Sequence, residues 1–245
     1  MMQSIFWTGR LLSRALRNGL SNFSSAAELN VSTTKHPYLV SVVCGFPKDI
    51  ANGRTRKGQF GDDAWFSTNS SNADVIGSST ACVMILDRSE SVMRAANIGD
   101  SGYMVVRGGR VVHRSHEQQH YFNTPYQLSL PPPGHDRNVL SDRPESAETS
   151  EFTVECGDVI LVATDGVFDN VPEPVLVAEM RRAQGLSGDT KRLQAVANSI
   201  AWMARNLSFD GCYMSPFAKS ARQNGIDAIG GKPDDITVLL AIVAL

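Results

Sequence analysis

An apolar run that ends in an acid and a glycine leaves a chain few choices. Val159-Ile-Leu-Val-Ala163 reads as a strand and runs directly into Thr164, Asp165 and Gly166. Such an ending sets a carboxylate at the rim of a sheet, where the chain must turn. Taken singly, the segment reads as an ordinary Asp-Gly turn. Its oxygens are also of the kind that bind a hard cation. Three more acidic turns follow strand-like runs: Gly61-Asp-Asp-Ala64, Gly99-Asp-Ser101 and Pro233-Asp-Asp-Ile236. Together they ask for a fold that brings several strand ends to one place.

The rest of the chain supplies strands in quantity. Tyr38 to Phe46 is β-rich, and Ala73 to Gly77 starts like a strand that is cut short. Ser78 to Asp87 reads as one long strand, and Met93 to Ile98 leads through Gly99-Asp-Ser into Tyr103 to Arg107. Gly108-Gly109 then separates two β-branched runs, a strong hairpin signal. Ser115 to Ser150 reads as long and irregular. Phe152 to Glu155 and Asp158 to Ala163 suggest a further hairpin about Cys156-Gly157.

Helices come late. Pro172-Glu-Pro174 opens one to about Gln184, with Arg181 and Arg182 near its end, where cations suit the helix dipole. Asp189-Thr190 caps another to about Leu207, with Leu193, Val196, Ile200 and Met203 at helical spacing. Ser215 to Asn224 is a short helix closed by Gly225. Ile236 to Val243 is apolar on both faces and predicts a strand buried on both sides. With no βαβ alternation, the class is α+β: antiparallel sheets covered by helices.

Composition limits the function classes. With 42% hydrophobic and 20% charged residues the chain can build a core. Its formal net charge of -2 gives no broad basic surface, so nucleic acid is not an expected partner. No segment predicts a membrane span. The four cysteines form no CxxC pair and read as small buried hydrophobes in a reducing compartment. Residues 1–30 differ in kind: Arg10, Arg14 and Arg17 fall on one face of a helix, and no acid precedes Glu28. An Arg- and Ser-rich, acid-poor amphipathic start marks a mitochondrial transit peptide. The expectation is therefore a leader over 1–30, a catalytic domain over 31–245 and a mitochondrial protein, matrix-located.

Three places could carry chemistry. His116-Glu-Gln-Gln-His120 matches HExxH, which binds zinc only on a helix. Here it follows a hairpin strand and Pro125 comes soon after, so a polar loop is expected. Arg54, Arg56 and Lys57 form a basic loop, either a solvated face or a phosphate-binding one. The acidic turns carry Asp62, Asp63, Asp100, Asp165 and Asp234. If they converge, their repulsion demands cations, and oxygen-only ligands select Mg²⁺ or Mn²⁺.

In this order, the turns resemble the protein phosphatase 2C family of metal-dependent Ser/Thr phosphatases. The matching stretches are FGDDAWF (60–66), SSTACVMIL (78–86), ANIGDSGYMVV (96–106), LVATDGVFDN (161–170) and GGKPDDITVLLAIV (230–243). Residues 113–129 and 212–225 are similar to its mitochondrial T-cell activation branch. The resemblance implies a two-layer antiparallel β-sandwich flanked by helices, acting on a phosphoprotein substrate with a binuclear Mg²⁺ or Mn²⁺ centre. It makes Asp62, Asp165 and Asp234 metal ligands, Asp63 the holder of metal-bound water, and Asp100 the acid of a third, weaker metal. Arg54 and Arg56 are its candidates for phosphate. One departure follows. The family has an early Asp-Gly-x-Gly-Gly strand, whose aspartate bridges both metals, and two long helices after it. This chain passes from Gly77 directly to Ser78. An incomplete helical layer and a weakened metal site are therefore expected. A non-catalytic or shortened product is the rival reading.

Overall fold

The structure, a computed structural model, describes residues 2–8, 36–46, 77–130 and 140–245. Its strands are β1 (Met2–Thr8), β2 (Tyr38–Phe46), β3 (Gly77–Ser79), β4 (Ala81–Asp87), β5 (Val92–Ile98), β6 (Gly102–Arg107), β7 (Arg110–Arg114), β8 (Gln119–Tyr121), β9 (Thr124–Pro125), β10 (Leu128–Leu130), β11 (Glu148–Thr153), β12 (Val159–Ala163) and β13 (Ile236–Ala244). The helices are α1 (Asp165–Phe168), α2 (Glu173–Ala183), α3 (Thr190–Ser208) and α4 (Pro216–Gln223).

Two antiparallel sheets face each other. One has the order β1-β4-β5-β11, the other β2-β13-β12-β6-β7. Side chains alternate across a strand, and each inner face presents its apolar set. Met84 and Leu86 of β4 meet Val105 of β6, Ile160 of β12 and Leu239 of β13 in this inter-sheet core. A second core lies between the five-stranded sheet and the helices, where Met104, Leu161 and Leu240 meet Leu176 of α2 and Leu193 and Ile200 of α3. β12 and β13 are thus buried on both faces, as the unbroken apolar run of β13 requires. Each fully buried Leu, Ile or Met contributes about 1.5–3 kcal/mol.

The helices start and stop where local chemistry dictates. The Asp189 side chain accepts the Arg192 N–H at 3.0 Å and caps α3. Ser215 does the same for α4 through the Ala218 N–H at 3.0 Å. α2 ends with Arg181, whose Nη2 donates to the Gly109 carbonyl at 2.8 Å and ties the helix to the β6–β7 turn. That turn is the expected Gly-Gly hairpin, with both glycines at positive φ.

Several expectations need correction. β11 and β12 do not form a hairpin: β11 pairs with β5 in one sheet and β12 with β6 and β13 in the other. Arg107 and the wholly buried Asp158 stabilise that crossing through bonds of 2.8 Å from Nε and Nη2. Ser78 to Asp87 is broken at Thr80 into β3, which pairs with β10, and β4. Among the described residues, the 115–150 stretch holds three short strands, a 3-10 turn at Pro144–Ser146 and the start of β11. Met2–Thr8, expected to begin an amphipathic helix, is a strand on the free edge of β4; Arg10, Arg14 and Arg17 lie outside the described residues. Cys156 and Cys212 are exposed, and only Cys82 is fully buried, its thiol pushed up to about 12 by burial.

The outer face of the four-stranded sheet bears no helical layer among the described residues. α2 and α3 pack on the other sheet, and β4 alternates half-buried and buried along its length.

Candidate active site

The turn after β12 is welded to the turn before β13. The Thr164 hydroxyl donates to the Asp235 carbonyl at 2.9 Å and accepts the Thr237 N–H at 3.0 Å. Gly166 lies so close that a Cβ there would meet the Asp235 carbonyl oxygen at 2.4 Å. Only glycine fits, which explains the Asp-Gly pair. This weld sets Asp165 beside Asp234. Asp100 comes from the crossing between β5 and β6, one strand over from β12. There Gly99 sits at φ +94, and the Ser101 hydroxyl bonds Thr80 Oγ1 at 2.8 Å.

Asp100, Asp165 and Asp234 line one cleft of about 290 Å³, with Asp235, Lys232, Thr164, Ser78, Thr80 and Gln127. Three of the acidic turns therefore converge. The fourth, with Asp62 and Asp63, lies outside the described residues, as do Arg54, Arg56 and Lys57.

The charges are unbalanced. Burial and the neighbouring Asp165 push the Asp100 carboxyl up to about 7. Burial, then repulsion from Asp165, takes Asp169 to about 7 as well. Asp165 is raised too, mainly by burial and then by Asp234. Against them stands Lys232. Its Nζ lies 2.8 Å from Asp165 Oδ2, 2.7 Å from Asp169 Oδ2 and 3.8 Å from Asp234 Oδ2. Burial works against the Lys232 charge, but Asp165 and Asp169 outweigh it and raise its pKa. One ammonium among several carboxylates leaves the cleft negative.

Sequence reasoning missed three residues here. Asp169 follows Asp165 by one helical turn, so both acids fall on one face of α1, a signal that was present. Asn170 is wholly buried. Its Nδ2 donates to the Gly166 and Lys232 carbonyls, both at 2.9 Å, and its Oδ1 accepts the Lys232 N–H at 2.8 Å. It clamps the backbone of Lys232, a residue 62 positions away, and no local pattern announces that.

HEQQH is not a zinc site. His116 to Gln118 has no regular secondary structure, and Gln119 opens β8. His116 Nδ1 pairs with Glu148 at 2.8 Å, whereas His120 Nε2 pairs with Asp142 at 3.0 Å. The two rings serve different partners.

The chain matches no protein-family model. It is 40% identical to the protein phosphatase PTC7 homologues of Danio rerio and Homo sapiens, over 304 aligned residues covering 99% of this chain and of each relative. Those alignments are longer than the 245-residue chain, so the relatives hold internal sequence that it lacks. The PTC7 homologue fig of Drosophila virilis is 50% identical over 169 residues, 69% of this chain and 54% of the fly protein. The X-ray structure of the photosystem II phosphatase PBCP superposes with a TM-score of 0.64 at 22% identity, covering 84% of this chain and 98% of that one, and so shares the fold. The chain belongs to the protein phosphatase 2C family of serine/threonine phosphatases, in its PTC7 branch.

Proposed function

We propose that the chain is a cation-dependent protein phosphatase that hydrolyses phosphoserine and phosphothreonine in a mitochondrial phosphoprotein. The carrying observation is the convergence of Asp100, Asp165 and Asp234 on one cleft. A phosphomonoester is a dianion near neutral pH, and carboxylates that outnumber the single ammonium repel it. A cation must offset that repulsion.

The donor chemistry suits Mg²⁺ or Mn²⁺, because every candidate ligand offers oxygen alone. Asp165 and Asp234 would hold such an ion, with Asp100 facing a weaker one, and Asp62 and Asp63 are the further expected contributors. Among the described residues no three acidic, His or Cys side chains are already grouped to grip a metal. A divalent ion held there would supply charge for the phosphoryl oxygens and a nucleophile at neutral pH. The chain's own part is positional. The Thr164 weld and the Gly166 contact fix the two acidic turns, and Ser78, Thr80 and Gln127 add polar groups to the lining. Arg54 and Arg56 are the proposed phosphate holders.

The relatives' extra internal sequence favours a second reading, a shortened and non-catalytic member. One assay separates the two. The full chain is given Mn²⁺ and a phosphoserine peptide. Phosphate release that Asp165→Asn reduces at least about 100-fold supports catalysis. No release, together with no rise in melting temperature on adding Mn²⁺, leaves the non-catalytic reading. The mitochondrial address rests on Arg10, Arg14 and Arg17. Fusing residues 1–30 to a fluorescent protein tests it, and a diffuse cytosolic signal would count against it.

A further inference from the structure

Lys232 is placed where a cation ligand would be. Its Nζ takes Asp165 Oδ2 at 2.8 Å and Asp169 Oδ2 at 2.7 Å, and Asp234 Oδ2 lies 3.8 Å away. The other oxygen of Asp165 already accepts the Gly166 N–H at 2.9 Å. Mg²⁺ requires oxygens at about 2.0–2.1 Å, so an ion coordinated by Asp165 Oδ2 would stand beside an ammonium 2.8 Å from the same oxygen. Two positive charges at that separation repel strongly, and they compete for the one carboxylate.

We propose that Lys232 is a tethered cation that holds the seat of the divalent ion, which binds only when the lysine side chain swings out. This rests on the reading of the cleft as a cation site. The geometry provides both the tether and the freedom. Asn170 clamps the Lys232 N–H and carbonyl, so the backbone stays fixed while the side chain moves. Four flexible carbons carry the ammonium. The side chain is 18% exposed, so it is not sealed in. Nζ also lies 5.2 Å from the centre of the Phe217 ring, an aromatic face that attracts a cation beside the carboxylates. Phe217 packs against Phe122 at 5.4 Å, so the ring is fixed at the cleft margin. Without a divalent ion, the ammonium keeps buried carboxylates from facing one another unpaired. With one, the lysine becomes surplus positive charge. The device makes divalent affinity weaker than the acids alone would give, and makes the cleft stable when the ion is scarce.

The test is Mn²⁺ binding by calorimetry to the full chain after EDTA treatment, compared with Lys232→Gln and Lys232→Arg. Lys232→Gln is expected to bind Mn²⁺ at least about tenfold tighter, whereas Lys232→Arg, which keeps a competing charge, stays within about threefold of the parent. Equal or weaker binding by Lys232→Gln overturns the proposal, and so does Mn²⁺ binding by neither protein. If Lys232→Gln folds only with Mn²⁺ present, the ion has replaced the ammonium, which supports it. Wild-type chain gives a second readout independent of folding defects. Amine labelling of Lys232, read by peptide mass spectrometry, should rise several-fold under Mn²⁺, and no rise at saturating ion overturns the proposal. Phosphatase assay of the parent keeps the two ideas apart. Turnover with equal Mn²⁺ affinity in parent and Lys232→Gln removes only the tethered cation. Tighter binding in Lys232→Gln without turnover in the parent removes only the catalytic reading.

Discussion

Asn170 joins two acidic turns that are far apart in sequence. Its amide satisfies the Gly166 carbonyl and both backbone groups of Lys232 from a position with no exposure. Asn170→Ala removes this partner from all three backbone groups, at about 1–3 kcal/mol for each one left unsatisfied. The expected loss is at least about 3 kcal/mol in urea unfolding, and a loss under about 1 kcal/mol would mean that water replaces the amide. The acids beside it give the cation-free protein a pH dependence whose sign is fixed. Asp100 and Asp169 rise from an ordinary 3.8 to about 7 in the folded chain, by burial first and by Asp165 next. The folded state therefore keeps protons that the unfolded state has already released. The stability this confers is complete below about pH 4 and is lost as pH rises through about 7. Thermal unfolding in EDTA should show a melting temperature several degrees lower at pH 8 than at pH 5, and a flat profile would sink the assignment. Asp169→Asn should reduce the difference and leave the part due to Asp100. At this scale the sequence is partly legible. Asp100 and Asp165 announce themselves by following apolar runs, and Asp234 by standing just before one. Lys232 does not, because its partners Asp165 and Asp169 lie 67 and 63 residues away and only the fold makes them neighbours.

Strands β4 and β5 show what an element reveals alone and what it hides. The burial of β4 alternates strictly, with Leu86 fully buried against the other sheet and Ile85 half-buried on the outer face. Leu86→Ala should cost about 2–5 kcal/mol in urea unfolding, and Ile85→Ala about half of that or less. Equal losses would mean that the outer face is packed as tightly as the core. Period, caps and Gly-Gly made β2, the β6–β7 hairpin, α2, α3, α4 and β13 readable, because each is set by residues inside it. Sheet membership was not readable in this way. β11 and β12 are separated by Cys156-Gly157 and look like a hairpin, yet β11 lies beside β5 in one layer and β12 beside β6 in the other. The choice is made by which apolar face fits which core, and by Arg107 reaching Asp158 across that crossing. Neither is local. The short strands β8, β9 and β10 escaped for a related reason: β10 exists because β3 is beside it, not because of its own residues.

Among the described residues, the two sheets of the sandwich are covered differently. The five-stranded sheet carries α2 and α3, and the four-stranded sheet has an outer face of half-buried residues on β4. The relatives hold internal sequence absent from this chain, and β4 would have an open edge without β1. An open strand edge is a template for pairing with another chain. Met2–Thr8 takes it, in full register from Met2 opposite Asp87 to Thr8 opposite Ala81. That strand lies within the 1–30 stretch proposed as a leader, so a chain without those residues would lack this edge strand. The full chain and a version beginning at residue 31 should then differ by hydrogen exchange in β4. Its edge amides should exchange at least about tenfold faster in the shorter chain, since the edge loses its partner. Sedimentation should also show the shorter chain self-associating with concentration, as an exposed edge finds a second copy. Identical exchange in the two chains would mean that β1 does not hold the edge in solution. Faster exchange without self-association would mean that β4 is protected by its charged end at Asp87 and Arg88 rather than by a partner. In either case β4 is the strand to watch, because it belongs to the inter-sheet core on one face and presents half-buried residues on the other.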